Sequence, residues 1–311
     1  MRCCRKGSGK VLWGSMMGFL SLSKFRANRM HRQAQTLSDE GNDDAALVLY
    51  QKCLAIDPAR STSLYNIGLI YKYRGDWAKS LEFNLRAYEL SPSDEASRWN
   101  LAIAATALRR WSLARRAWSD NGFEVADGNE PLVMDLGRTP VRLNPNQDGE
   151  VVWGRRIDPV RVMIESVPFP ESGFRCNDIV LHDGAAVGLR VIRGREYPVF
   201  NVLELFEASK ISTFVASIRA SAPEQVEWLA QLADATGVVM EDWTGSVKTV
   251  CSLCSEGTPH EFHEIEGEKA WNSERKVGFG CAAAEQIDEM VAACKKSASV
   301  EIYEVALALS A

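Results

Sequence analysis

The residues best suited to chemistry lie in one stretch, residues 250–263, VCSLCSEGTPHEFH, which holds two of the chain's eight cysteines and two of its four histidines. Thiolate sulfur and imidazole nitrogen are the donors a zinc ion prefers. Cys251 with Cys254, and His260 with His263, are each spaced to turn two donors toward one centre. The full spacing is Cys-x2-Cys-x5-His-x2-His, with a central spacer shorter than that of a zinc finger and nearer to a zinc knuckle. Gly257 and Pro259 permit the reversal between the pairs. Four such ligands close a tetrahedral shell, which makes a structural site; an incomplete shell would leave a position for an activated water. Cys281, after Gly-Phe-Gly on the following strand, is an alternative ligand in place of one histidine. The competing reading is two buried thiols beside surface histidines. A thioredoxin-type redox pair fits less well, because that Cys-x2-Cys works at a helix N-terminus.

Other chemistry is thinner. Cys176 and His182 have the types of a nucleophile and its base, but His182 before Asp183 and Gly184 reads as a hairpin residue. GSGK at 7–10 lacks the Walker spacing and its Ser or Thr. The acidic run around residues 260–271 reads as a solvated loop. A formal charge of −5 gives no whole-chain footprint for nucleic acid, which demands a clustered basic face.

The elements that would position the cysteine and histidine pairs follow from periodicity. ISTFVASIRA alternates as a strand, and residues 222–237 carry Val226, Leu229 and Leu232 at helical spacing with Gly237 as the stop. VVMEDWTGSVKTV and KVGFGCAA read as strands, AAEQIDEMVAACKKSAS as a second amphipathic helix and VEIYEVALAL as a last strand. The order β-α-β-β-α-β over residues 209–311 predicts a ferredoxin-like domain. Cys251 and Cys254 then end its second strand, and His260 and His263 lie in the connection to the third. Residues 151–208 read as short strands broken by Gly and Pro, a small β-barrel-like, SH3-like module, and residues 127–150 as a linker.

The first part of the chain repeats. CLAIDP ends at Pro58 and AYELSP at Pro92, and the interval between those prolines sets a frame. In it Ala46, Ser80 and Ala114 align, as do Tyr50, Asn84 and Trp118, while Gly41 and Gly75 fall together and Arg109 stands in their third place. Leu64, Ile67, Gly68 and Tyr71 form the stripe of a first helix, with Gly68 and Ser80 small where paired helices cross. Residues 27–126 resemble three tetratricopeptide repeats. The later half is similar to segments that follow such repeats in uncharacterised bacterial proteins, a likeness that implies no activity. The fold class is therefore multidomain, α then α+β.

The repeat resemblance implies a concave groove that binds a protein or peptide, lined by His31, Gln35, Tyr65, Asn66, Leu69, Trp99, Asn100 and Ile103. Family members that clamp a terminal carboxylate use Lys and Asn; this chain keeps Asn66 but has His31 and Gln35 in the first-repeat places, which opposes that clamp. Tyr65 and Trp99 either anchor an apolar peptide or pack against a neighbouring repeat. Residues 1–26 read as a basic and apolar leader, disordered or lying before the true start at Met16 or Met17. Arg2, Arg5, Lys6 and Lys10 precede the apolar run at 11–22 as in a signal peptide, without a small-x-small cleavage site. The run is shorter than the roughly 20 residues that span a bilayer. Scattered cysteines point to a reducing cytoplasm. The expectation is a cytoplasmic adaptor with a structural zinc, no nucleic acid and no transmembrane segment. The alternative is a metal-dependent enzyme whose repeats recruit a protein substrate.

Overall fold

Six helices open the chain: α1 (Val11–Asp39), α2 (Asp43–Ile56), α3 (Ser61–Tyr73), α4 (Trp77–Leu90), α5 (Glu95–Ala107) and α6 (Trp111–Asp120). They are seen in a computed structural model that describes residues 11–147, 149–192, 194–244, 271–297 and 299–311. The chain divides into two units, Met1–Glu130 and Pro131–Ala311.

In the first unit the starts of α2, α4 and α6, at Asp43, Trp77 and Trp111, recur at the interval that separates Pro58 from Pro92. The starts of α3 and α5, at Ser61 and Glu95, keep the same interval. Short polar turns join α1 to α2, α3 to α4 and α5 to α6, so each pair folds back as a hairpin. Asn42, Asp76 and Asp94 cap their helices by accepting hydrogen bonds from the backbone N–H of Ala45, Lys79 and Ser97. Gly41 and Gly75 hold φ of 78° and 70° in the hairpin turns, and Arg109 holds the same left-handed backbone at φ 54°. The turn geometry thus repeats where the glycine does not.

Helix crossing explains the small residues. Gly68 packs so closely on Asn84 that a Cβ there would lie 2.5 Å from Nδ2. The Ser80 hydroxyl donates to the Gly68 carbonyl at 3.0 Å, and Asn84 Nδ2 donates to the Ser80 carbonyl at 2.8 Å. Ala34, Ala46, Leu47, Tyr50, Ile67 and Ile70 fill the interior of the first hairpins.

Residues 11–26 form the first part of α1, with no proline to interrupt the helical run.

The second unit begins with a closed five-stranded barrel: β1 (Arg138–Leu143), β2 (Glu150–Arg156), β3 (Arg161–Ile164), β4 (Ile179–Ile192) and β5 (Arg195–Glu207). Consecutive strands pair antiparallel, and β1 closes on β5 in parallel at Val141↔Phe200 and Arg142↔Asn201. Val141, Leu143, Val152, Val162, Ile164, Val180 and Val202 fill it. Two corrections follow. The first strand lies inside the stretch read as a linker, because RTPVRL offers only Val141 and Leu143 as an apolar signal and carries Pro140 between Val141 and Thr139. The short strands expected between residues 178 and 208 are two long ones, β4 and β5, with Gly184 and Gly188 at bulges inside β4 and not at turns.

A four-stranded sheet follows: β6 (Ser212–Arg219), β7 (Val239–Asp242), β8 (Glu274–Cys281) and β9 (Glu301–Leu309), with α7 (Pro223–Ala235) after β6 and α8 (Ala284–Ser297) after β8. The ladder order is β7-β8-β6-β9, every neighbour antiparallel. On one face Leu229, Ala233, Ile287, Met290 and Cys294 pack with Ala216, Ile218, Val277 and Phe279. On the other, Ile211, Val215 and Trp243 meet Val167, Phe169 and Cys176, and the Trp243 indole donates to the Val167 carbonyl at 3.0 Å.

Candidate functional site

The first unit presents a hollow of about 360 Å³ between α1, α3 and the start of α5. The repeat frame places it: α1 supplies His31 and Gln35, α3 supplies Ser61, Thr62, Tyr65 and Asn66, the α4–α5 connection adds Ser91 and Asp94, and α5 adds Ala96. Four of the eight residues expected in the groove therefore meet around one space. Thr62 and Ala96 were legible too, since they are separated by the same interval as Pro58 and Pro92 and share a position in the repeat. Ser91 and Asp94 belong to a helix end and a helix cap, where no groove pattern points.

His31 is buried, with Nδ1 2.8 Å from the Ser63 hydroxyl and its ring tilted over Tyr50 at 5.6 Å. Burial, then the Arg60 charge, lowers its pKa from the ordinary value, so it lines the hollow as a neutral ring. Asn66 Nδ2 donates to the Tyr50 hydroxyl at 2.9 Å. That bond holds Asn66 in place, and burial pushes the Tyr50 phenol up to about 12, keeping it protonated. Tyr65 is half-buried, and Gln35 and Thr62 are exposed at the rim.

The other four expected residues go elsewhere. Trp99 packs edge-on against Trp118 at 5.0 Å and Phe123 at 6.0 Å, an aromatic cluster that closes the last hairpin. Asn100 is buried and accepts a bond from Lys72 Nζ at 3.2 Å. Ile103 is buried outright and Leu69 is half-buried; neither lines the hollow. Trp99 is covered because its helix face meets α6 and the residues after it.

Cys251, Cys254, His260 and His263 lie outside the described residues. Cys281 sits in the core between sheet and helices, where burial raises its thiol pKa. Among the described residues no group of three His, Cys, Asp or Glu side chains is placed to hold a metal ion. Cys176 and His182 do not form a nucleophile and base. Burial pushes the Cys176 thiol up to about 12 and the His182 ring down to about 3, each opposite to what catalysis needs. His182 Nδ1–H donates to the Asp183 carbonyl at 2.7 Å inside the barrel, while Cys176 packs with Val167 and Trp243.

A second hollow, about 410 Å³, lies on the sheet unit beside α7, Met240 and Trp271. In its wall Arg275 Nε donates to Asp242 at 2.8 Å and the Arg275 guanidinium stacks over the Trp271 ring at 4.3 Å.

No family model matches the chain. Among solved structures it is similar to the second TPR of Spaghetti (RPAP3) bound to the HSP90 peptide SRMEEVD, at 16% sequence identity and a TM-score of 0.32, covering 34% of this chain and 91% of that one. It is also similar to a hypothetical protein from Neisseria gonorrhoeae, at 14% identity and a TM-score of 0.26, covering 57% of this chain and 98% of that one. Among the described residues no helix is long and apolar enough to cross a membrane.

Proposed function

We propose that the six helices form a tetratricopeptide array and that the protein is a binding adaptor, taking a polypeptide segment into the hollow lined by His31, Gln35, Tyr65 and Asn66. The observation that carries this reading is that hollow, built from equivalent positions of successive hairpins. Its size suits one or two side chains of a bound segment. Its walls are hydroxyls, amides and a neutral imidazole, which match peptide backbone and uncharged polar side chains. Among the described residues no Lys or Arg lines it and Asp94 does, so it is not built to grip a terminal carboxylate. The strand order of the later sheet supports a ferredoxin-like reading, and the five closed strands before it support a small-barrel reading.

The test is selection of binding peptides from a displayed library by the whole protein, followed by titration of the best one. Arg side chains introduced at the exposed rim, Gln35→Arg with Thr62→Arg, should weaken binding at least about tenfold, the equivalent of roughly 1.4 kcal/mol. Lys52→Glu, on the exposed side of α2, should not. Equal binding by the rim variant would remove the hollow from the proposal. The zinc belongs to the proposal on the spacing of Cys251, Cys254, His260 and His263 alone. Metal content per chain, compared with Cys251→Ser/Cys254→Ser, decides it: zinc in the first and none in the second supports the site, and none in either removes it.

A further inference from the structure

The first helix is more than twice as long as its neighbours. α1 runs from Val11 to Asp39, whereas α2 and α3 have 14 and 13 residues. Ala27 is fully buried and accepts a bond from the Cys53 thiol; His31 and Ala34 continue that face. Leu22 is 64% exposed and Phe25 67% exposed, and Lys24, Arg26 and Arg29 are exposed around them. The part of α1 upstream of Ala27, residues 11–26, is roughly 24 Å long at about 1.5 Å per residue.

The charge of this part is one-sided. Residues 1–38 contain Arg2, Arg5, Lys6, Lys10, Lys24, Arg26, Arg29 and Arg32 and no Asp or Glu, in a chain whose net charge is −5. The basic residues bracket VLWGSMMGFLSL, an uncharged apolar run that includes Trp13 and Phe19. It is too short to span a bilayer, but it suits the boundary between headgroups and acyl chains, with basic residues left among the phosphates. A solvated peptide partner would explain the basic residues but not the uncharged run, and a nucleic acid would explain neither Leu22 nor Phe25.

We infer that the N-terminal part of α1 docks the protein on an anionic membrane surface, Leu22 and Phe25 entering the interface and Lys24, Arg26 and Arg29 facing the lipid phosphates. This docking is independent of peptide binding in the hollow, which lies on the other side of Ala27 along α1.

Flotation of the full chain with vesicles tests it, using phosphatidylcholine alone and phosphatidylcholine with one-third phosphatidylserine. The wild type should float with the anionic vesicles, less so as salt rises, and stay behind with the neutral ones. Arg26→Gln/Arg29→Gln should lower the partition roughly thirtyfold, about fivefold per charge removed. Leu22→Glu/Phe25→Glu should abolish it. All four positions are exposed, so the helical circular dichroism should be unchanged, which separates lost docking from lost folding. No flotation with anionic vesicles, equal flotation with neutral ones, or full binding by either variant overturns the inference. Binding to a single-stranded RNA in place of vesicles also overturns it and assigns this part of α1 to nucleic acid.

Discussion

Replacing Gly68 by alanine should destabilise the helical unit, although the same change in an exposed helix would stabilise it. The usual gain is about 1 kcal/mol, because alanine loses less backbone freedom than glycine. At Gly68 the new Cβ would lie 2.5 Å from Asn84 Nδ2, 2.8 Å from its Cγ and 2.9 Å from its Oδ1. Asn84 has no room to yield, since it is fully buried and its amide is held by the Ser80 carbonyl at 2.8 Å and hydroxyl at 3.2 Å. Overpacking of this kind costs about 1–3 kcal/mol, and moving the amide would also leave its bonds unmade. The net expectation is a loss of about 1–2 kcal/mol, a fall in melting temperature of several degrees. Thermal unfolding followed by helical circular dichroism reads it. A second variant isolates the cause: Asn84→Ala removes the obstructing amide together with an Oδ1 that has no partner. In that background Gly68→Ala should become neutral or stabilising. A higher melting temperature for Gly68→Ala alone would refute the account of the α3–α4 crossing.

Two further outcomes are expected. Trp99→Ala should cost about 2–4 kcal/mol in denaturant unfolding, because it empties the cluster with Trp118 and Phe123; an unchanged midpoint would return Trp99 to the surface. Acidification should weaken the barrel through His182. Unfolded histidine takes a proton near 6.5, while the buried ring waits until about 3, so the unfolded state binds more protons between those values. Stability is therefore present above pH 6.5 and lost as pH falls through that window, by about 1.4 kcal/mol per unit. Between about pH 7 and 5 the wild type should lose about 2 kcal/mol more than His182→Gln; equal losses would show that the ring is not held neutral.

Local rules carried much of this fold into view. The recurrence of Gly41, Gly75 and the residues around them marked the hairpins because turns and helix stripes depend on neighbours a few positions away. The helical stop at Gly237 and the alternation of residues 212–219 were readable for the same reason. His31, Gln35, Tyr65 and Asn66, on the first helices of successive hairpins, line one hollow. Trp99, Asn100 and Ile103 occupy equivalent positions in the third hairpin, yet they are covered or engaged by partners that the repeat frame does not specify. The barrel was partly hidden. Bulges let Gly184 and Gly188 remain inside one strand, and RTPVRL becomes a strand only through pairing on both sides.

By itself the amino-acid sequence determined where many helices and strands begin, the repeat frame running from Pro58 to Pro92, and the basic, acid-free character of positions 1–38, all of which are properties of order and composition. Only the tertiary structure decided which side chains are covered. It closed β1 onto β5, set Asn84 against Gly68, drew Trp99 into a cluster and left Leu22 and Phe25 outside the stack. Burial is a relation between residues far apart in the chain, and a periodic pattern specifies that a face will be apolar without specifying what will meet it.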